Sequence, residues 1–387
     1  MARSSTGDPC GGSGIRRFLA LVGTALIMAA CSGTAATPSP ASSAAASTAS
    51  STAPSVGASP ATRIAVSLIT KTDSNPFFIA MAKGAKEKGA ELGVDITVAA
   101  GKISGDEATQ ITAIENAVSA GQKGILITPN GPGVNPAIKK ARAAGLLVIA
   151  LDTPPDPPDT VDITFATDNF DAGVRIGKWA AAQLGGKAAV IAMIDDQADK
   201  ITSVDVGRDH GFLTGMGIDV VDKTQNGKEA PTGKYTGGKG GDYTIVGHLA
   251  SQGAEDGGQK AMETLLSKSA TPINVVYTIN EPTVNGAYQA LKAAGKDAGV
   301  IIVSVDGGCA GVKLVKDGVI GATSQQYPLK MASLGVQAIY DLATKGTKPA
   351  NSEGLSFFNT GVGLVTDKPV DGLESIDTTK GTELCWG

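Results

Sequence analysis

A chain of 387 residues is long enough for two or three domains, and at 42% hydrophobic and 18% charged residues its composition is globular rather than disordered. A formal net charge of −4 argues against a protein that grips nucleic acid through a basic surface. With two histidines, His210 and His248, and four cysteines, little is left for a His/Cys metal site or a histidine-based triad, and neither a metal nor a cofactor is expected.

The first 30 residues read as a targeting segment. Arg16 and Arg17 precede an apolar run from Phe18 to Ala30, which is too short to span a bilayer as a helix and suits the core of a signal peptide. The run ends Leu26-Ile27-Met28-Ala29-Ala30-Cys31, followed by Ser32-Gly33. Small residues before a cysteine resemble a bacterial lipobox, which implies cleavage before Cys31 and a lipid thioether on it. An ordinary secretory signal with an incidental Cys31 is the alternative. Residues 32–62 form a Ser/Thr/Ala/Pro/Gly tract without charge, a disordered tether with a reach of roughly 30 Å. Cys10 is lost with the signal and Cys31 carries lipid. Cys309 and Cys385 then remain as a single pair in an oxidising compartment. They are predicted to bridge, tying the C-terminus to the loop after a late strand; two unpaired buried thiols are the alternative.

From Arg63 the pattern becomes β/α. Short apolar runs predict strands at Ile64–Ile69, Ile96–Ala99, Gly124–Thr128, Val148–Leu151 and Ile163–Ala166, then Ala189–Ile194, Asp219–Asp222, Ile245–His248, Val275–Thr278, Ile301–Val305 and Ala322–Ser324. Most of these runs are continuous rather than alternating, as in parallel strands covered on both faces. Helices are predicted at Pro76–Leu92, Asp106–Ala120, Asn135–Ala144, Phe170–Leu184, Gly258–Ser267 and Pro282–Ala294, many stopping at a glycine such as Gly93 or Gly185. The stretch Asn226–Asp242 reads as a surface loop. So many strands fit two similar α/β lobes better than one sheet. Two apolar strands stop on an aspartate, Leu151-Asp152-Thr153 and Val305-Asp306-Gly307. Ligands of open α/β sheets bind outside the carboxyl ends of strands, so Asp152 and Asp306 are candidate site residues; a turn or N-cap aspartate is the alternative.

No G-x-G-x-x-G follows the first strand, no P-loop spacing surrounds Lys234, and no G-x-S-x-G elbow occurs. Instead Asn75-Pro76-Phe77-Phe78 follows the first strand. This is a capped helix start, and also two aromatic faces and an amide at a sheet's carboxyl edge, a combination that suits a sugar's C–H faces and hydroxyls.

Residues 64–386 resemble the ribose/fructose/galactose-type periplasmic binding proteins of ABC importers. The resemblance is carried by Thr70–Phe78, Ala150-Leu151-Asp152-Thr153, Arg208-Asp209-His210-Gly211-Phe212, Thr278-Ile279-Asn280-Glu281, Ser304-Val305-Asp306-Gly307-Gly308 and Ala322-Thr323-Ser324-Gln325-Gln326-Tyr327-Pro328. The Thr70–Phe78 block, Gly308-Cys309 and the terminal Cys385-Trp386-Gly387 are most similar to the fructose-binding branch. The resemblance implies an α/β, type I periplasmic-binding-protein fold: two Rossmann-like parallel-sheet lobes joined by a three-segment hinge. Residues 63–169 with 327–357 would form lobe one and 170–326 with 358–387 lobe two, after the 1–30 signal and the 31–62 lipidated tether.

It also implies roles. Asn75 would hydrogen-bond a hydroxyl, while Phe77 and Phe78 face the ring. Asp152 with Thr153 from lobe one, Arg208, Asn280 and Asp306 from lobe two, and Gln326 at the hinge would grip hydroxyls. Lys71, Asp205 and Glu281 would be further direct or indirect contacts. Where relatives often carry a second-lobe aromatic, Gly253-Ala254-Glu255-Asp256-Gly257 has none, so Glu255 or Asp256 would grip the ligand there. His210 would lie near the lip without touching ligand. The expected protein is a monomeric, non-enzymatic receptor, lipid-anchored outside the cell membrane. It would deliver a monosaccharide, fructose first and ribose, xylose or an inositol-like polyol otherwise, to an ABC permease and its ATPase; a sugar sensor feeding a signalling partner shares the same site. A transcription regulator on the same core would need a basic N-terminal helix-turn-helix, and a glycosidase using Asp152 and Asp306 would need a motif this chain lacks.

Overall fold

The computed structural model describes residues 63–198 and 201–387; the lipobox, Cys31 and the tether lie outside them. The first lobe begins with β1 (Ile64–Thr70), α1 (Pro76–Leu92), β2 (Val94–Ala100), α2 (Glu107–Ser119), β3 (Gly124–Ile127), α3 (Asn135–Ala143), β4 (Leu147–Leu151) and β5 (Ile163–Ala166). The second follows with α4 (Asn169–Leu184), β6 (Ala189–Asp195), α5 (Ser203–Met216), β7 (Thr232–Tyr235), β8 (Gly241–Ala250), α6 (Glu255–Lys268), β9 (Val275–Thr278), α7 (Glu281–Ala293), β10 (Ile301–Asp306), α8 (Cys309–Lys316) and β11 (Ala322–Gln325). The chain then recrosses with α9 (Pro328–Lys345) and β12 (Phe358–Asn359), and ends in lobe two with β13 (Gly363–Val365) and α10 (Thr378–Leu384).

Two sheets result, ordered β12-β5-β4-β3-β1-β2 and β13-β11-β10-β9-β6-β8-β7. The first is parallel throughout, and the second is parallel except at its two edge strands. The strand order reverses between β1 and β3 in one lobe and between β6 and β9 in the other. Such switch points open a crevice beyond the strand ends where ligands bind. The continuous apolar runs follow from burial on both faces: Val66 and Leu68 pack to one side of the first sheet, Ile69 and Ile127 to the other.

Three differences from the sequence reading have local causes. Residues 219–222 are not a strand: they follow the left-handed Gly217 cap of α5 and run as an irregular connection. Part of Asn226–Asp242 is instead β7, whose polar Thr-Gly-Lys-Tyr sequence suits an edge strand with only Tyr235 buried. Phe358 and Asn359 pair with β5, so the first lobe extends two residues past the expected boundary at 357.

Close helix approach positions the second lobe's functional helix. Gly173 and Gly177 of α4 face Gly211 and Gly215 of α5. A Cβ at Gly211 would meet the Phe170 carbonyl oxygen at 2.2 Å, and one at Gly173 the Arg208 carbonyl oxygen at 2.3 Å. The two backbones touch, which seats Arg208 against the start of α4. Gly211→Ala is expected to destabilise by about 1–3 kcal/mol through overpacking, read by urea unfolding; an unchanged midpoint would contradict this close approach.

Three chain segments cross between the lobes, at 167–168, 326–327 and 360–362. They are knitted by the Thr360 N–H donating to the Ala166 carbonyl at 2.8 Å and by Lys330 Nζ donating to the Thr360 carbonyl at 2.8 Å. Cys309 and Cys385 form a disulfide that brings the C-terminal tail to the start of α8. Among the described residues no helix is long and apolar enough to cross a membrane.

Candidate functional site

Between the strand ends of the two lobes lies a cavity of about 510 Å³. Lobe one lines it with Lys71, Asn75, Phe77, Phe78 and Asp152, lobe two with Arg208, Asn280, Asp306 and the rim residues Glu255 and Asp256, and the hinge with Gln326. Phe77 and Phe78 meet edge-on, with ring centroids 5.3 Å apart, and Trp386 backs Phe77 at the same spacing. Trp386 is itself pinned: its Nε1 donates to the Gln326 carbonyl at 2.7 Å, and its carbonyl accepts from the Cys309 N–H at 3.0 Å. One wall is therefore a rigid aromatic face.

A second part of the lining is charged. Arg208 Nε donates to Asn169 Oδ1 and Nη1 to the Ile279 carbonyl, both at 2.8 Å. These bonds fix the guanidinium between Asp152 and Asp306, at 3.9 Å from each. Such separations are too long for hydrogen bonds but let one cation offset two buried carboxylates. Gln326 Nε2 donates to Asp306 Oδ1 at 2.8 Å. Among the described residues, Asp152 Oδ1 and Gln326 Oε1 are buried without a hydrogen-bond partner. This wall thus keeps acceptors unspent, and a ligand's O–H groups would satisfy them.

Backbone conformation marks the same place. Among the described residues three non-glycine residues have positive φ: Asp152 at 65°, Gln252 at 56° and Asp306 at 146°. All three line the cavity. Strained backbone of this kind concentrates at ligand clamps.

Burial is the main force raising the Asp306 carboxyl, to about 6. Arg208 and the Gln326 amide oppose it, while Asp152 adds to it. Burial and then Asp306 push Glu281 up to about 8.

The other expected residues fall into place differently. Asn75 Oδ1 caps α1 by accepting the Phe77 N–H at 2.9 Å. Asn280 Oδ1 caps α7 through the Thr283 N–H at 3.1 Å, while its Nδ2 donates to the Gly253 carbonyl at 3.1 Å. Both amides line the cavity with Oδ1 used in capping, and Asn280 also spends Nδ2. Thr153 does not line it; its hydroxyl donates to Asp152 Oδ2 at 2.8 Å, orienting that carboxylate. Asp205 is also set back, accepting the N–H groups of Asp196 and Gln197. Glu281 turns away as well, holding the turn after β10 through the Gly307 and Gly308 N–H groups. Glu255 and Asp256 lie at the rim, where they bond Gln289 and Lys260. His210 bonds the Gln225 carbonyl and lines a separate cavity.

The sequence reading missed a latch across the cleft. Ser104, after β2, donates to Asp196, after β6, with oxygen separations of 3.0 and 3.2 Å. Ser203 Oγ donates to the Pro154 carbonyl at 2.6 Å. Asp196 had a readable signal, since β6 also stops on acidic residues, as β4 and β10 do. Ser104 had none, being a polar residue in a polar loop. Asn285, one turn into α7, also lines the cavity unforeseen. These bonds hold the lobes together over the cavity.

Residues 64–348 match the family described as periplasmic binding protein domain. The chain belongs to the periplasmic binding protein family. Among this binding protein's relatives is the ribose import binding protein of Haemophilus influenzae, 30% identical over 295 residues that cover 75% of this chain and 89% of the relative. The D-allose-binding periplasmic protein of Escherichia coli is 27% identical, covering 72% and 85% respectively. An Agrobacterium vitis ABC transporter solute-binding protein solved with bound D-fucose superposes with a TM-score of 0.67 at 26% identity, covering 83% of this binding protein and 100% of the other chain. The fold is the type I periplasmic-binding-protein architecture.

Proposed function

We propose that this protein binds one monosaccharide, with fructose as the first candidate, between its closing lobes and delivers it to an ABC permease driven by its ATPase. It acts as a monomer tethered outside the cell membrane through lipid on Cys31, and its ligand leaves unchanged. The observation that carries this reading is the pairing of an aromatic wall, Phe77 and Phe78, with a charged wall of unspent acceptors around Arg208. Sugars present both an apolar C–H face and hydroxyl donors. The relatives named for ribose and allose, and the neighbour holding fucose, support the class. The fructose reading rests on the Thr70–Phe78 block and the Cys385-Trp386-Gly387 terminus. Ribose, xylose and inositol are the comparison ligands. Titration calorimetry against this set tests the reading: fructose binding at one site is expected, and binding of none of the four would overturn it.

Two further outcomes follow from the site. Ser104→Ala removes a latch bond made only when the lobes are shut, so affinity should fall roughly tenfold, as for loss of a hydrogen bond to a charged group. Unchanged calorimetric affinity would contradict the latch.

The second concerns pH. Asp306 faces Arg208, Asp152 and Gln326, with Glu281 behind it. Its folded-state value, about 6, lies above the ordinary 3.8. In the unliganded protein its contribution to stability is therefore present below about pH 4 and lost as pH rises through about 6. Sugar binding runs the other way, because a donating hydroxyl favours the ionised carboxylate. Affinity should rise through about pH 6 and then level, and Asp306→Asn should flatten the profile. A wild-type profile that is flat across this range would contradict the assignment.

A further inference from the structure

Behind the cleft floor, on the face of the second sheet that α5 covers, lies a polar cluster outside the sugar cavity. Strand register aligns Met193 of β6 with Tyr277 of β9 and His248 of β8. These side chains project from one face, and so does Asp195, two residues beyond Met193. Asp209 of α5 packs onto them. His248 Nδ1 is 2.9 Å from Asp195 Oδ2 and 3.3 Å from Asp209 Oδ2, and its Nε2 is 2.7 Å from Glu229 Oε1. One imidazole thus faces three carboxylates. Asp209 and Tyr277 are completely buried. Yet among the described residues Asp195 Oδ1 and the Tyr277 hydroxyl have no hydrogen-bond partner, and the Asp209 oxygens make none either, having only the ion-pair approaches of His248 at 3.3 Å and His210 at 3.9 Å. Buried polar atoms are rarely left so, and a group of them points to an ion or ordered solvent among them.

We propose that Asp195, Asp209 and His248 bind a first-row divalent cation, Zn²⁺ or Mn²⁺. One ligand atom from each residue lies within 4.8 Å of the others. The 2.9 and 3.3 Å nitrogen-to-oxygen separations approach the edge of a tetrahedron with bonds of about 2.0–2.1 Å. One imidazole nitrogen with two carboxylate oxygens suits these metals better than Ca²⁺ or Mg²⁺, which take oxygen ligands. Glu229 supplies the outer partner such a histidine needs: accepting from Nε2–H, it leaves the Nδ1 lone pair for the metal. The His248 side chain is 16% exposed and is flanked by Gly227, so the 226–229 segment offers a way in. Composition argued against a metal site because it counted histidines and cysteines and could not see carboxylates brought to one histidine. The site adjoins the cleft, since Asp196 and Arg208 are chain neighbours of Asp195 and Asp209.

The test uses the full chain, without a polyhistidine tag, stripped with EDTA and titrated calorimetrically with ZnCl₂, MnCl₂, CaCl₂ and MgCl₂ separately. One equivalent of Zn²⁺ or Mn²⁺ should bind, and neither Ca²⁺ nor Mg²⁺. Glu229→Gln should weaken that affinity by about 10–100-fold, as for loss of an outer-shell partner, and Asp209→Asn should abolish stoichiometric uptake while circular dichroism reports an intact fold. If Asp209→Asn does not fold, the wild-type and Glu229→Gln titrations still decide. Folded wild-type protein that takes up neither Zn²⁺ nor Mn²⁺, or that prefers Ca²⁺, would overturn the proposal, as would undiminished uptake by folded Asp209→Asn. Metal uptake is measured without sugar, so this result stands apart from the sugar reading.

Discussion

Arg208→Ala is expected to lower sugar affinity by about 30- to 5,000-fold, or 2–5 kcal/mol, the cost of truncating one partner of a buried charge group. The size follows from what the guanidinium does. It lies 3.9 Å from both Asp152 and Asp306, and without it these two buried carboxylates lose the cation that lies between them. A neutral sugar cannot compensate that charge. The guanidinium is also tied to Asn169 and to the Ile279 carbonyl, so some loss of stability should accompany the loss of binding. Arg208→Lys should not restore affinity, because a single ammonium cannot hold those two bonds and span both aspartates. Calorimetry on the folded variant, with its melting temperature measured alongside, separates the two effects. Unchanged affinity would remove Arg208 from the site.

Breaking the Cys309–Cys385 bridge should have the second largest effect. The cross-link spans 76 residues, and removing a bridge across a loop of that size is expected to cost about 2–4 kcal/mol in unfolding free energy. Affinity should fall as well. The bridge holds the tail that places Trp386 against Phe77 and against the Gln326 carbonyl, so its loss frees the backing of the aromatic wall. Cys309→Ser with Cys385→Ser, compared with wild type by urea unfolding and calorimetry, reads both. An unfolding midpoint that does not move would contradict the structural role of the bridge; a changed midpoint with unchanged affinity would separate Trp386 from the site.

Much of this architecture can be read from local chemistry. Continuous apolar runs such as Gly124–Ile127 mark strands buried on both faces. Helix ends follow from Asn75 as a cap and Gly93 and Gly185 in left-handed conformation. Asp152 and Asp306 were legible because a strand that stops on an aspartate places it at the carboxyl edge. What escaped depends on long-range assembly. The Ser104–Asp196 latch joins residues 92 apart in sequence, and nothing local marks either as a partner of the other. The edge strand β7 lacks an apolar pattern because one side meets solvent. Asn75 and Asn280 show a subtler limit: capping and ligand contact ask for the same residue at the same position, and geometry finds the Oδ1 atom of each engaged in capping. The carboxylates around His248 were invisible for the same long-range reason, coming from β6, α5 and the segment before β7.

On this reading the cleft binds a monosaccharide through an aromatic wall and an Arg208-centred charged wall. Mass spectrometry of small molecules released from the protein after native purification tests it most directly. One equivalent of a free monosaccharide is expected, absent from Arg208→Ala purified in the same way. A released ligand that is not a sugar, or the same sugar retained by Arg208→Ala, would contradict it.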